Sequence, residues 1–121
     1  MPTTIPVIAL LVAAAALGSY LLLLYTRGVR KPVLIGFHLL LGFGGLETLV
    51  VLLKGTPSND GFPAGSYGNV AAGFLALAAF SGLLAPIIGR RSNATANLMV
   101  LTHVSVGLAG LFLCVAWASS L

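Results

Sequence analysis

The sequence predicts an all-α membrane protein, a four-helix transmembrane bundle, from its composition and from the number of its long apolar runs. Of the 121 residues, 59% are hydrophobic and 7% are charged, whereas soluble domains contain about 25% charged residues. Lipid leaves backbone polar groups without partners, so only helices and closed barrels span a membrane. Because no stretch alternates apolar and polar residues as barrel strands do, we expect helices.

Four runs have the length of about 20 residues that an apolar helix needs to cross a bilayer. They cover residues 5–26, 33–53, 70–89 and 96–119. The connections are too short to fold alone, so we expect a single integral membrane domain over residues 1–121. The one cysteine, Cys114, cannot form an internal disulfide, and we expect it to be a small core residue rather than a ligand.

The basic residues predict the orientation of the bundle. The second connection carries only Lys54, while the first and third carry the other five basic residues: Arg27, Arg30, Lys31, Arg90 and Arg91. The positive-inside rule therefore places both basic connections in the cytoplasm and both termini outside. Since topology explains these residues, the net charge of +4 does not indicate a nucleic-acid partner.

Three aromatic residues fall near the ends of the predicted spans. Tyr25 lies at the inner side, and Tyr67 and Trp117 lie at the outer side. Amphipathic rings prefer the headgroup boundary of a membrane. We therefore expect these three rings at the membrane surface.

The two histidines, His38 and His103, both lie inside predicted spans, where ionisable side chains are costly and usually functional. The second and fourth spans run in the same direction. At 1.5 Å rise per residue, the histidines lie about 10 and 12 Å from the cytoplasmic edge. Both begin the pattern H-x3-G-x2-G, which continues with these glycines: Gly42 and Gly45, Gly107 and Gly110.

This repeated pattern predicts a haem site. Positions i, i+4 and i+7 share one helix face, so each helix presents an imidazole followed by a groove without side chains, in which a flat macrocycle fits. Two neutral imidazoles give six-coordinate iron, which suits electron transfer. Arg30 and Arg91, with the neighbouring basic residues, are placed to pair with haem propionates as well as to set topology.

Two other interpretations of this pattern stay open. Glycine faces are a common way for membrane helices to approach each other, and a membrane histidine can simply bond to a neighbouring helix. Zinc is disfavoured, because the depth of the histidines offers no third or fourth ligand.

With His38, His103 and their glycines in place, the four-span plan resembles the transmembrane b-type cytochromes. In that family, four-helix cores hold haem between histidines on different helices. The resemblance implies that these two histidines are axial ligands of haem b. Many members hold two haems, which would require histidines on the first and third spans; this chain has none there, so one haem is implied.

Glu47 is the one acidic residue inside a predicted span. It follows His38 by nine positions, which turns it to the opposite helix face and excludes it as a haem ligand. One interpretation is a protonatable group for proton or quinone exchange. The other is a buried acid paired with Lys54 or with a partner subunit.

The leading hypothesis is therefore a membrane b-type cytochrome with one bis-histidine haem near the cytoplasmic leaflet. It would carry electrons as a subunit or partner of a larger membrane redox complex, in a bacterial inner membrane or an organellar energy-transducing membrane, with quinone as a further partner. Such a chain is an electron-transfer protein more than a stand-alone enzyme. The alternatives are an accessory subunit of a respiratory or photosynthetic complex, with chlorophyll or no pigment on its histidines, and a small transporter that uses Glu47.

The orientation can be tested by cysteine labelling in intact cells. We expect a membrane-impermeant thiol reagent to reach cysteines introduced at Ser58 or Ser66 and to fail at Ser92, because the charge bias places the first two outside. The reverse labelling pattern would overturn the charge argument.

Overall fold

The computed structural model describes residues 4–55 and 63–120, and within them it contains four long helices. The helices are α1 (Ile5–Thr26), α2 (Pro32–Gly55), α3 (Pro63–Ile88) and α4 (Asn93–Ser119). The predicted all-α fold of four apolar helices is confirmed, and α1 has the predicted bounds.

All four helices are long and apolar enough to cross a membrane. They contain 22, 24, 26 and 27 residues, and about 20 residues suffice for the hydrocarbon layer. The chain is thus a four-span helical membrane protein. The side of the membrane that each terminus faces stays a prediction.

Two helix starts differ from the sequence prediction by three residues or more. Helix α3 begins at Pro63 rather than Val70, since a proline fits the first turn, where its missing N–H has no helical partner. Helix α4 begins at Asn93 rather than Ala96, because Ser92 caps it by accepting the Thr95 N–H at 3.0 Å. Part of the predicted second connection, residues 56–62 with Ser58, lies outside the described residues.

Contacts divide the chain into two compact units, Met1–Gly55 and Thr56–Leu121. The first unit is a hairpin in which α1 packs on α2, and the second is a hairpin in which α3 packs on α4. We call them the first and second hairpins.

The turn of the first hairpin depends on Gly28. Its φ of +70° lies in the left-handed region, which favours glycine. Its N–H bonds to the Tyr25 carbonyl at 3.1 Å, and the N–H of Val29 bonds to the Leu24 carbonyl at 2.9 Å. These bonds occupy the last carbonyls of α1 and end the helix.

The core of the first hairpin lies along one face of α1 and the facing side of α2. Val7, Leu11 and Ala14 are buried at helical spacing on α1, and Leu24 near the turn and Leu49 from α2 are buried as well. At Gly45 the two helices come close, because a Cβ built there would lie 2.6 Å from Leu11 Cδ2. The glycine lets the Leu11 side chain lie directly against the backbone of α2.

The second hairpin has a similar core with a larger residue at its open end. Its buried apolar residues are Ala71, Leu75, Ala78, Cys114 and Trp117. A Cβ built at Gly110 would lie 2.8 Å from Leu75 Cγ and 3.1 Å from the Leu75 backbone nitrogen. The two helices thus touch at Gly110 as α1 and α2 do at Gly45.

The burial of three residues tests earlier expectations. Cys114 is fully buried, which confirms that it is a core residue. Trp117 is 2% exposed and packs inside the hairpin, while its depth at the outer headgroup boundary stays a prediction. The rings of Tyr25 and Tyr67 are 37% and 46% exposed and remain available to the headgroup region.

The close contact at Gly110 predicts a stability difference between two glycine-to-alanine variants. Gly110→Ala should lower the free energy of unfolding by about 1–3 kcal/mol, because the new methyl overlaps Leu75. Gly73→Ala on α3 is the control, since open space surrounds its Cβ position, and it should change stability by about 1 kcal/mol or less. Denaturation in detergent followed by circular dichroism measures both; equal effects would contradict the close contact.

Candidate functional site

His38 lies in α2 with its half-buried ring turned to α1. Its Nδ1 lies 2.9 Å from the backbone carbonyl oxygen of Ala14. A carbonyl oxygen only accepts hydrogen bonds, so Nδ1 carries the proton and donates it. In the neutral imidazole the lone pair then resides on Nε2.

His103 repeats this arrangement in the second hairpin. Its half-buried ring turns from α4 to α3, and its Nδ1 donates to the Ala78 carbonyl oxygen at 2.6 Å. The same tautomer follows, with the proton on Nδ1 and the lone pair on Nε2.

A glycine lies one helical turn beyond each accepting carbonyl. The carbonyl of residue i in an α-helix points toward residue i+4, so a ring that reaches the Ala14 oxygen lies over position 18. A Cβ built at Gly18 would lie 2.8 Å from His38 Cε1. At Gly82 it would lie 2.8 Å from both Cε1 and Nδ1 of His103.

We call each accepting carbonyl with its following glycine a ring seat. The first ring seat is the Ala14 carbonyl with Gly18, and the second is the Ala78 carbonyl with Gly82. In both seats the alanine is 6% exposed. The small alanine side chain leaves room for the imidazole to pack against the backbone of the neighbouring helix.

The seats belong to a repeat that covers both hairpins. The histidine follows its acceptor by 24 residues in the first hairpin and by 25 in the second. The buried and close-packed positions also correspond, about 65 positions apart in the chain. The matched pairs are Val7 with Ala71, Leu11 with Leu75, Ala14 with Ala78, Gly18 with Gly82, His38 with His103, Gly45 with Gly110, and Leu49 with Cys114.

The second ring seat has one polar contact that the first ring seat lacks at the matching position. The buried Ser81 hydroxyl donates to the Ala78 carbonyl oxygen at 3.1 Å, the oxygen that also accepts from His103. The corresponding residue of the first hairpin is Leu17, which cannot donate. The acceptor of His103 is therefore shared with a second side chain, whereas position 17 supplies no such donor beside the acceptor of His38.

The predicted glycine grooves are only partly open within each hairpin. The Cβ position of Gly42 has no atom within 4 Å, and that of Gly107 has Ala78 Cβ at the ordinary contact distance of 3.6 Å. Gly45 and Gly110 do not line an open groove, because leucines of the neighbouring helix fill the space beside them. Helix packing takes those two positions.

The basic residues lie at the turn end of each hairpin and are exposed. Arg30 precedes α2, and Arg91 precedes the Ser92 cap of α4; the others at these ends are Arg27, Lys31 and Arg90. His38 lies six residues after Pro32, and His103 lies ten residues after Asn93, which correspond to about 9 and 15 Å along the helices. The helix starts therefore do not reproduce the nearly equal spacing expected from the sequence.

Glu47 is exposed on α2, and so is Lys54 in the last turn of the same helix. Glu47 therefore lies outside the buried core of the first hairpin. Its role, as a proton-exchange group or as an acid paired with Lys54 or a partner subunit, stays a prediction.

Sequence reasoning found both histidines and missed their seats. Both α1 and α3 nevertheless carry the pattern L-x2-A-x3-G. That pattern comprises Leu11, Ala14 and Gly18 in one helix and Leu75, Ala78 and Gly82 in the other. Its repetition beside the repeated H-x3-G-x2-G pattern is the signal that could have shown the pairing of the helices.

No protein-family model, curated protein or solved structure matches this chain.

Proposed function

We propose that this chain is a membrane b-type cytochrome in which His38 and His103 are the axial ligands of one haem b. It carries electrons as a subunit or partner of a larger membrane redox complex. The observation that carries the proposal is the Nδ1 hydrogen bond, which recurs in both hairpins. Metal-ligating histidines almost always donate their other ring N–H to a carbonyl, a carboxylate or water.

The donor set fits haem better than a bare metal ion. Haem iron receives four nitrogen ligands from the macrocycle, so two imidazoles from the protein complete its coordination. A structural zinc site needs four protein ligands and a catalytic one needs three. Within residues 4–55 and 63–120, no group of three His, Cys, Asp or Glu side chains could hold an ion.

The protein contributes orientation and electronic tuning. When bound, the haem would supply one-electron redox chemistry, and His38 and His103 would hold it. Each ring seat holds its imidazole in the Nδ1–H tautomer, so that Nε2 is the ligating atom. The bond to the carbonyl also raises the basicity of the ligand, which favours the ferric state.

Basic and acidic side chains outside the ring seats would serve the haem and its redox partners. Arg30 and Arg91 lie at the turn ends of the hairpins, where they would pair with haem propionates in the cytoplasmic leaflet. Exposed Glu47 would exchange protons with a quinone or a partner subunit. The host membrane would be a bacterial inner membrane or an organellar energy-transducing membrane.

One observation favours a second candidate, an accessory subunit that binds chlorophyll. Each histidine and the carbonyl that accepts its hydrogen bond belong to the same hairpin. A pigment that takes one axial imidazole, as chlorophyll does, would need only one such unit. Pigment extraction separates the two candidates, because haem and chlorophyll differ in absorption.

The proposal predicts a reducible low-spin haem spectrum in the protein purified in detergent after expression with haem supplied. His38→Ala and His103→Ala should each remove most of the haem, because each deletes one of the two axial bonds. Thr102→Ala is the control, since its hydroxyl is exposed and bonds to Leu98 within α4. A colourless wild type, or single histidine variants with an unchanged low-spin spectrum, would refute the proposal.

The open position beside Gly42 predicts a second difference. Gly42→Leu should lower haem content or shift its midpoint potential, because the leucine enters the space one turn from His38 where a macrocycle is proposed to lie. Gly44→Leu is a matched control, since Gly44 also has no atom within 4 Å of its Cβ position and is turned away from the His38 face. Equal effects of the two variants on haem content and potential would point to general helix packing.

A further inference from the structure

We propose that Gly18 and Gly82 are positioning residues, each of which fixes the ring plane and the hydrogen-bond strength of one axial histidine. The inference rests on the proposed function for its redox consequence. Its geometric part concerns the imidazoles alone and holds whether or not haem is bound.

The edge of each imidazole that faces the glycine carries both nitrogens. A Cβ at Gly18 would meet His38 Cε1 at 2.8 Å, Nδ1 at 3.3 Å and Nε2 at 3.6 Å. At Gly82 the distances to the same atoms of His103 are 2.8, 2.8 and 3.5 Å. A methyl group in that place must displace the ring edge, which changes the Nδ1 bond and turns the Nε2 lone pair together.

A close approach to an imidazole distinguishes Gly18 and Gly82 from four other glycines of the helices. Beside Gly45 and Gly110 a Cβ would meet leucine side chains, which makes those positions packing contacts. Around Gly36 on α2 and Gly73 on α3 there is open space. Contact with an imidazole occurs at Gly18 and Gly82, once in each hairpin and each time one turn after the accepting carbonyl.

The sign of the redox effect follows from the hydrogen bond. An imidazole that donates strongly through Nδ1 is a more basic ligand, and a more basic ligand favours ferric over ferrous iron. An added methyl at the seat weakens that bond by pushing the ring from the carbonyl. The midpoint potential should therefore rise in Gly18→Ala and in Gly82→Ala.

The first experiment uses the haem-loaded full chain. Gly18→Ala and Gly82→Ala are compared with Gly36→Ala and Gly73→Ala, the open-space controls on α2 and α3. We expect the seat variants to shift the potential upward and to alter the low-spin ferric electron paramagnetic resonance signal, which depends on the two ligand planes. Unchanged potential and signal in both seat variants would overturn the redox part of the proposal.

The second experiment separates this proposal from the proposed function by using haem-free protein. Nitrogen NMR of protein labelled with ¹⁵N-histidine reports which ring nitrogen of His38 and His103 carries the proton. We expect Nδ1–H in the wild type, a change at His38 alone in Gly18→Ala, and a change at His103 alone in Gly82→Ala.

The outcomes of the NMR experiment do not depend on haem. If these changes occur in a protein that never binds haem, the seats stand and the cytochrome proposal fails. If the seat variants match the Gly36→Ala and Gly73→Ala controls, the positioning role is refuted even when wild-type haem binding is normal.

Discussion

The hydrogen bond from an imidazole Nδ1 to a helix carbonyl is the constraint on which both hairpins depend. An unpaired polar group in an apolar environment costs several kcal/mol, and water is absent from the bilayer core. In these hairpins each histidine donates instead to a backbone oxygen of the adjacent helix, at 2.9 and 2.6 Å. The requirement to satisfy that nitrogen determines which residues stand opposite it.

The composition of the facing helix follows from this bond. A carbonyl that already belongs to a helix can be reached only where the side chains around it are small. Ala14 and Ala78 supply the oxygen with little bulk, and Gly18 and Gly82 remove the Cβ that would strike the ring. Two turns farther along the histidine helix, Gly45 and Gly110 admit Leu11 and Leu75. The bond and the leucine contact set the same helix register.

The repetition of this arrangement makes each hairpin a separate holder for one imidazole. A ligand that is oriented inside its own unit does not need the other unit to fix its tautomer. The two holders still differ in detail, because Ser81 shares the carbonyl oxygen that accepts from His103, while Leu17 stands at the matching place near His38. The two imidazoles therefore have unequal acceptors.

Composition and run length were sufficient for the four helices, because lipid permits few spanning structures and an apolar run of about 20 residues has one cheap solution there. The two histidines were also evident, since ionisable residues are rare in such runs. The starts of α3 and α4 at Pro63 and Asn93 were not evident from the sequence. Both helices extend beyond the apolar runs into small and polar residues. The side-chain placement of Trp117 depended on packing as well.

The ring seats were decided by the tertiary structure. The sequence contains the alanine, the glycine and the histidine of each arrangement. The histidine, however, follows the alanine by 24 residues in the first hairpin and by 25 in the second. Only the packing of α1 on α2 and of α3 on α4 brings them together. The same packing assigned Gly45 and Gly110 to helix contacts, because a glycine's role depends on the atom that occupies the space beside it. Periodicity identifies a face of a helix, whereas the neighbouring helix determines what that face touches.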